Sequence, residues 1–142
     1  SRGYGLAGFR AGAVVARGEL RKALDRSRLP SMLSTPSVAV TTHCLDQSGF
    51  LERSRSWLDT ERAFLGEQLA QSYEVRDSEA PSLLVELGDR SVESVVRAAR
   101  ADGVAVCDSS PFHGIEDAIR VTVRRRAANE KLLAALPDVS VP

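Results

Sequence analysis

One long stretch in the middle of the chain carries a regular apolar stripe, which constrains the fold more than any other feature. Its large apolar residues recur at intervals of seven, in two adjacent rows: Phe50, Trp57 and Phe64, and Leu51, Leu58 and Leu65, with Leu69 completing the stripe. This spacing places them on one face of an α-helix. The pattern predicts a helix from about Ser48 to Gln71, roughly 35 Å long. We expect core packing, because a coiled coil needs more heptads.

Strands and helices alternate in the second half of the chain. The strand-like runs are 73–76, 82–87, 104–107 and 119–123. One helix is predicted after Ser91, a good N-cap, and is ended by Asp102 and Gly103, while a last helix runs from Ala127 to Leu136. The order β-β-α-β-β-α predicts an α+β (α/β) fold. We expect a small antiparallel-rich sheet with helices on one face, preceded by the long helix.

The first part of the chain is rich in glycine. Glycines three and four apart over residues 5–12 suit a close backbone approach or a positive φ. The apolar run Ala13–Ala16 that follows favours a strand. A helix over 19–26, a proline-punctuated loop and a short helix over about 38–45 complete this region.

Composition excludes several function classes. The 142 residues carry 19 basic and 19 acidic side chains, so the formal net charge is zero, which argues against a nucleic-acid binder held by bulk charge. No apolar run is long enough to span a membrane. Cys44 and Cys107 lie far apart without CxxC spacing, which weighs against a metal site and a disulfide framework. A cytoplasmic location is the expectation.

Two segments carry a resemblance to a known family. The segment SRGYGLAGFRAG at 1–12 resembles the S-K-x-x-G-L-x-G-x-R-x-G motif of fold-type I, pyridoxal-phosphate-dependent class I/II aminotransferases. Within that family the segment looks most like histidinol-phosphate aminotransferases and threonine-phosphate decarboxylases. The runs at 80–85, 108–112, 119–124 and 129–133 resemble the family's C-terminal part, in the same order.

The resemblance implies three segments. Residues 1–45 would be a remnant of the large cofactor-binding domain, with the phosphate-arginine motif, a strand and a loop. Residues 46–72 would form the interdomain helix, and 73–142 the small domain. In the family, the residues that contact the pyridine ring come earlier, so this chain lacks most of a pocket for pyridoxal 5'-phosphate.

Two arginines match positions with a role in the family. Arg10 falls where the family binds the cofactor phosphate, and a guanidinium offers a planar fork of donors to phosphate oxygens. Its alternative is a surface arginine beside a glycine turn. Arg120 falls where the family grips the substrate α-carboxylate. An arginine between apolar strand residues needs an anion partner. The alternative to a substrate carboxylate is an acidic side chain of the same domain.

Arg2 stands where the family has its Schiff-base lysine, eight residues before Arg10. A guanidinium stays charged and forms no stable imine, so no catalytic residue is assigned. The first hypothesis is the C-terminal portion of an aminotransferase, a transferase incomplete in this chain alone. The alternatives are a non-catalytic aminotransferase-like binding or interaction module, and an unrelated α+β regulatory domain. A milder version of the non-catalytic hypothesis is that Arg2 is not the native residue and stands in place of a lysine.

The resemblance also implies partners. The substrate would be an amino acid or a phosphorylated amino acid. In the family, the run Ala13–Ala16 belongs to the sheet of the large domain. Without the rest of that sheet, the chain would expose an unpaired strand edge. We therefore expect a homo-oligomer, such as a dimer, or a separate N-terminal half as the partner.

Overall fold

The computed structural model describes residues 2–29, 31–111 and 115–137. The chain divides into two compact units, Ser1–Ser54 and Arg55–Pro142. The described part of the first unit has two 3-10 turns (Arg2–Tyr4 and Ala7–Phe9), α1 (Gly18–Ser27) and α2 (Thr35–Leu45). Helix α3 (Phe50–Leu69) begins in the first unit and ends in the second. The three predicted helices of this region are thus present, with slightly different ends.

The predicted strand at Ala13–Ala16 is wrong. Residues 11–17 have no regular secondary structure. Val14 and Val15 are 76% and 96% exposed. A strand needs a neighbouring strand for its hydrogen bonds, and the described residues of the first unit contain none. The apolar pattern is therefore present without the pairing that would make it a strand.

The second unit has the predicted order β-β-α-β-β-α. Its elements are β1 (Glu74–Arg76), β2 (Ser82–Glu86), α4 (Val92–Ala101), β3 (Cys107–Asp108), β4 (Ala118–Thr122) and α5 (Arg126–Ala135). The strands form one sheet in the order β1-β2-β4-β3, and every pairing is antiparallel. The predicted α+β fold with an antiparallel sheet is confirmed.

Strand β3 is shorter and later than its prediction at 104–107. Helix α4 ends in a Schellman motif, because Gly103, at φ 71°, donates to the Arg100 carbonyl and Val104 donates to the Ala99 carbonyl. Val104 N lies 2.8 Å from that oxygen. The amide of Val104 is therefore bound to the helix end, and pairing begins only at Cys107.

The sheet has one apolar and one polar face. Leu83 pairs with Val121 and Val85 with Ile119, and all four side chains are buried. They share a core with residues from three helices: Leu65 and Leu69 of α3, Val95 of α4 and Leu132 of α5. The helices therefore cover one face, as predicted. The alternate residues of the strands lie on the uncovered face, which carries Arg120.

The stripe of α3 only partly enters a core. Leu65 and Leu69 are 0% and 1% exposed in the second unit. In the first unit, Phe50 stacks on Tyr4 with 5.2 Å between the ring centroids. Trp57, in contrast, is 45% exposed. Core packing is thus correct for the C-terminal end of the stripe and wrong for Trp57.

Candidate functional site

The glycine-rich segment forms a compact turn that ends at Arg10. Phe9 N donates to the Leu6 carbonyl at 3.1 Å, and Arg10 N donates to the Ala7 carbonyl at 3.3 Å. Arg10 itself adopts the left-handed conformation, with φ 52° and ψ 33°. This region is costly for a residue with a Cβ, by about 1–2 kcal/mol. The turn therefore holds the phosphate-arginine candidate in an unusual backbone geometry.

The Arg10 side chain is exposed and lightly engaged. Its Nη1 donates to the Ala7 carbonyl at 3.1 Å, and none of the described carboxylates forms an ion pair with it. Around it, Gly8 and Gly12 have open space where a Cβ would lie. An exposed planar fork of donors beside open space suits phosphate oxygens. The residues present therefore fit the phosphate group of pyridoxal phosphate.

The residues around this turn do not fit the covalent attachment of that cofactor. Arg2 begins the first 3-10 turn, and its guanidinium cannot replace the amine of a lysine in imine formation. Lys22 lies on α1 and pairs with Glu19 at 2.7 Å, exposed to solvent. Lys131 lies on α5 in the other unit. Arg10 can thus bind a phosphate group, but Arg2 cannot form an imine with an aldehyde.

Arg120 lies at the centre of the uncovered face of the sheet. The β4 register places it between Leu84 of β2 and Cys107 of β3. Its side chain is exposed, and its Nη2 donates to Cys107 Sγ at 3.5 Å. On the same face, Arg76 pairs with Glu86. Glu86 on this face is thus engaged by Arg76, and Arg120 is an exposed arginine on the face of the sheet that the helices leave uncovered.

The last residue of β3, Asp108, has a perturbed carboxyl. The Ser110 hydroxyl and then the Ser110 backbone N–H donate to Asp108 Oδ1, and these hydrogen bonds lower the pKa of Asp108. Ser109 is 1% exposed, and its N–H donates to the Ala118 carbonyl at 3.2 Å. This fixes the loop after β3 at the edge of the sheet. Phe112, of the family-like segment, and His113 lie outside the described residues.

Sequence reasoning missed a buried polar cluster at the end of β4. Asn129 is 1% exposed; its Nδ2 donates to the Arg124 carbonyl at 2.8 Å and to Glu61 Oε2 at 3.0 Å. Its Oδ1 accepts from Arg124 N at 2.9 Å. Arg126 binds the same Glu61 and stacks over Phe64, with 3.5 Å from guanidinium carbon to ring centroid. A lone Asn in a helical pattern gave no signal of this role.

The described residues contain neither a metal-binding cluster nor a membrane-spanning helix. Within ranges 2–29, 31–111 and 115–137, no group of three or more His, Cys, Asp or Glu side chains is arranged to bind a metal ion. No helix in that part of the chain combines the length and apolarity needed to cross a membrane.

Comparison with known proteins relates these features to a family. A family model described as aminotransferase class I and II matches residues 1–136. Histidinol-phosphate aminotransferase 2 of Archaeoglobus fulgidus is 33% identical over 98% of this chain and 40% of its own length. An aromatic amino acid aminotransferase of Mycobacterium avium is 33% identical over 94% of this chain and 36% of its own length.

Solved structures agree with the sequence matches. A crystal structure from Burkholderia pseudomallei, of a protein assigned to the aminotransferases, has a TM-score of 0.83 and 31% identity, over 94% of this chain and 41% of its own. The histidinol-phosphate aminotransferase of Clostridium acetobutylicum, at 21% identity, shares the fold with a TM-score of 0.76, over 83% of this chain and 36% of its own. The chain spans well under half the length of these proteins. The match over residues 1–136 nonetheless establishes that the chain belongs to the class I and II aminotransferase family.

Proposed function

We propose that this chain is the C-terminal portion of a pyridoxal-phosphate-dependent, aminotransferase-like protein that acts on an amino acid by transamination or a related decarboxylation. The observation that carries the proposal is Arg10, an exposed guanidinium at the end of a glycine-rich turn inside the matched region. When bound, the cofactor supplies an electron sink for charge that develops at the substrate α-carbon.

Each of the two arginines is assigned a different anion, one on the cofactor and one on the substrate. Arg10 binds the cofactor phosphate, since phosphate prefers a planar, always charged donor fork. Arg120 binds the α-carboxylate of an amino acid or phosphorylated amino acid, and two parallel N–H donors orient that substrate. Neither arginine transfers a proton, because a guanidinium does not titrate in the accessible range.

The chain alone is expected to be inactive. Arg2 occupies the position of the Schiff-base lysine, and the chain spans only 36% to 40% of the two relatives described above. The remaining part of the active site would come from an N-terminal half or from another copy in a homo-oligomer such as a dimer. A cytoplasmic location is part of the same proposal.

A second function is favoured by Arg2 itself. A family member without the imine-forming lysine would keep the small-domain fold as a non-catalytic binding or interaction module. Such a module would have no need of an N-terminal partner. The alternatives therefore differ in two measurable properties, the composition of the native protein and the covalent chemistry at residue 2.

Intact-mass measurement of the protein isolated from its source tests the first property. The proposal expects a longer polypeptide or a co-purifying chain that contains the N-terminal part of an aminotransferase. A native protein of this length without a companion would contradict it and favour the non-catalytic module.

Borohydride trapping with pyridoxal phosphate tests the second property. We expect no adduct at residue 2 of the unmodified chain, and a trapped adduct at residue 2 of Arg2→Lys. Arg17→Lys introduces a lysine elsewhere in the same unit and serves as the control. Equal trapping in the two variants would mean that residue 2 does not face the cofactor aldehyde. Stoichiometric trapping at Lys22 or Lys131 of the unmodified chain would contradict the non-catalytic alternative.

A further inference from the structure

We propose that Ser37 is a positioning residue for Arg10, which it orients through the peptide group between Phe9 and Arg10. This inference rests on the proposed phosphate-binding role of Arg10. Ser37 lies in the first turn of α2, is 6% exposed, and is separated from Phe9 by 28 residues in sequence. No feature of the sequence connects the two.

The hydrogen bonds of Ser37 form a closed set. Its Oγ donates to the Phe9 carbonyl at 2.7 Å, which uses its single hydroxyl proton. The Ser34 hydroxyl, 2.8 Å away, must then donate to Ser37 Oγ. Ser34 Oγ in turn accepts from Ser37 N at 3.2 Å as the N-cap of α2. The hydroxyl proton of Ser37 is therefore committed to Phe9.

The peptide group between Phe9 and Arg10 is thus held at both of its polar atoms. Its carbonyl accepts from Ser37, and its N–H donates to the Ala7 carbonyl at 3.3 Å. The orientation of this plane sets φ of Arg10, which lies at 52°. A residue with a Cβ leaves that region readily unless its surroundings hold it there. Ser37 supplies the long-range half of that restraint.

The direction of the Arg10 side chain follows from this backbone geometry. The guanidinium folds back to the Ala7 carbonyl at 3.1 Å, on the same turn. If the peptide plane rotated, both the Cα–Cβ direction and this contact would change. The guanidinium would then have to be ordered when phosphate binds, which lowers affinity.

The test compares three variants of the full chain. Ser37→Ala removes the hydroxyl, Ser37→Thr keeps it, and Ser27→Ala removes a different hydroxyl of the same unit, which donates to the Ala23 carbonyl. Pyridoxal phosphate affinity is measured on the complete enzyme that contains each variant, by absorbance titration, with circular dichroism as a check on folding. We expect Ser37→Ala to weaken binding about fivefold, and the other two variants to bind as the unmodified chain does.

Tryptic cleavage after Arg10, relative to cleavage after Arg17, provides a readout that needs no ligand. Ser37→Ala should accelerate cleavage at Arg10 severalfold, and Ser37→Thr should restore the original ratio. An unchanged ratio in Ser37→Ala would overturn the inference, whether or not the chain binds pyridoxal phosphate.

Arg10→Ala separates the inference from the proposed function. If Arg10→Ala and Ser37→Ala both weaken binding, both are supported. If only Arg10→Ala does so, the inference fails and the function stands. If Arg10→Ala leaves the affinity of the complete enzyme for pyridoxal phosphate unchanged, the phosphate role of Arg10 fails and with it the purpose assigned to Ser37.

Discussion

Asn129 Nδ2 lies 3.0 Å from Glu61 Oε2, and this hydrogen bond joins α5 to the middle of α3 inside the second unit. Both residues are buried, with 8% of Glu61 and 1% of Asn129 exposed. Asn129 also binds both polar backbone atoms of Arg124, two residues after the end of β4. The strand that carries Arg120 is therefore anchored at its end by one amide side chain.

Asn129→Ala should destabilise the chain strongly. It leaves a buried carboxylate with one donor fewer and two backbone groups of Arg124 without their partner. We expect the free energy of unfolding to fall by about 2–4 kcal/mol, because each unsatisfied buried polar group costs about 1–3 kcal/mol. Urea denaturation measures it. Glu130→Ala, at the exposed neighbouring position of α5, should change stability by less than about 0.5 kcal/mol. A similar small change in both variants would refute this assignment.

Arg120→Ala should weaken the binding of the amino-acid substrate by the complete enzyme. Hydrogen bonds to charged groups contribute about 1.5–3 kcal/mol, which corresponds to tenfold or more in affinity. Arg120→Lys should recover only part of the loss, since an ammonium lacks the planar fork. Titration with the amino acid measures this. Arg97→Ala, at an exposed position of α4, is the control. Normal substrate affinity in Arg120→Ala would rule out a carboxylate role.

The ionised carboxylate of Asp108 should stabilise the folded chain, and this stabilisation should be lost in acid. Its pKa is lowered in the folded chain because the Ser110 hydroxyl and N–H donate to the carboxylate. A lowered folded-state pKa means that this stabilisation is present above the ordinary aspartate pKa of 3.8 and is lost as the pH falls through the lower folded value. Carbon-13 NMR of the Asp108 carboxyl in Ser110→Ala should give a higher pKa than in the unmodified chain. An identical titration in both would contradict the hydrogen-bond cause.

The exposed run around Val14 and Val15 should drive association of the isolated chain. Apolar side chains that are 76% and 96% exposed are a liability unless another polypeptide covers them. Sedimentation velocity should show oligomers that diminish in the double variant Val14→Ser with Val15→Ser. Val38→Ser, at 48% exposure on α2, is the matched control. A clean monomer with protease-resistant residues 5–45 would contradict this expectation.

The sequence predicts elements whose signal is local. Ser91 caps α4 by accepting from Ser94 N, and Gly103 ends that helix with a positive φ, as the turn chemistry indicates. Leu65 and Leu69 follow from helical periodicity. Ala13–Ala16 fails because a strand depends on a partner elsewhere. Ser37 and Asn129 could not be found, since their roles depend on residues 28 and 68 positions away.

The affinity of the complete enzyme for pyridoxal phosphate, with Arg10→Ala compared against Arg17→Ala, tests the central claim most directly. Both positions are exposed arginines of the first unit. A charge-assisted contact to phosphate predicts that Arg10→Ala weakens binding about tenfold or more, while Arg17→Ala leaves it unchanged. Equal affinities in the two variants would contradict the assignment of Arg10 as the ligand of the cofactor phosphate.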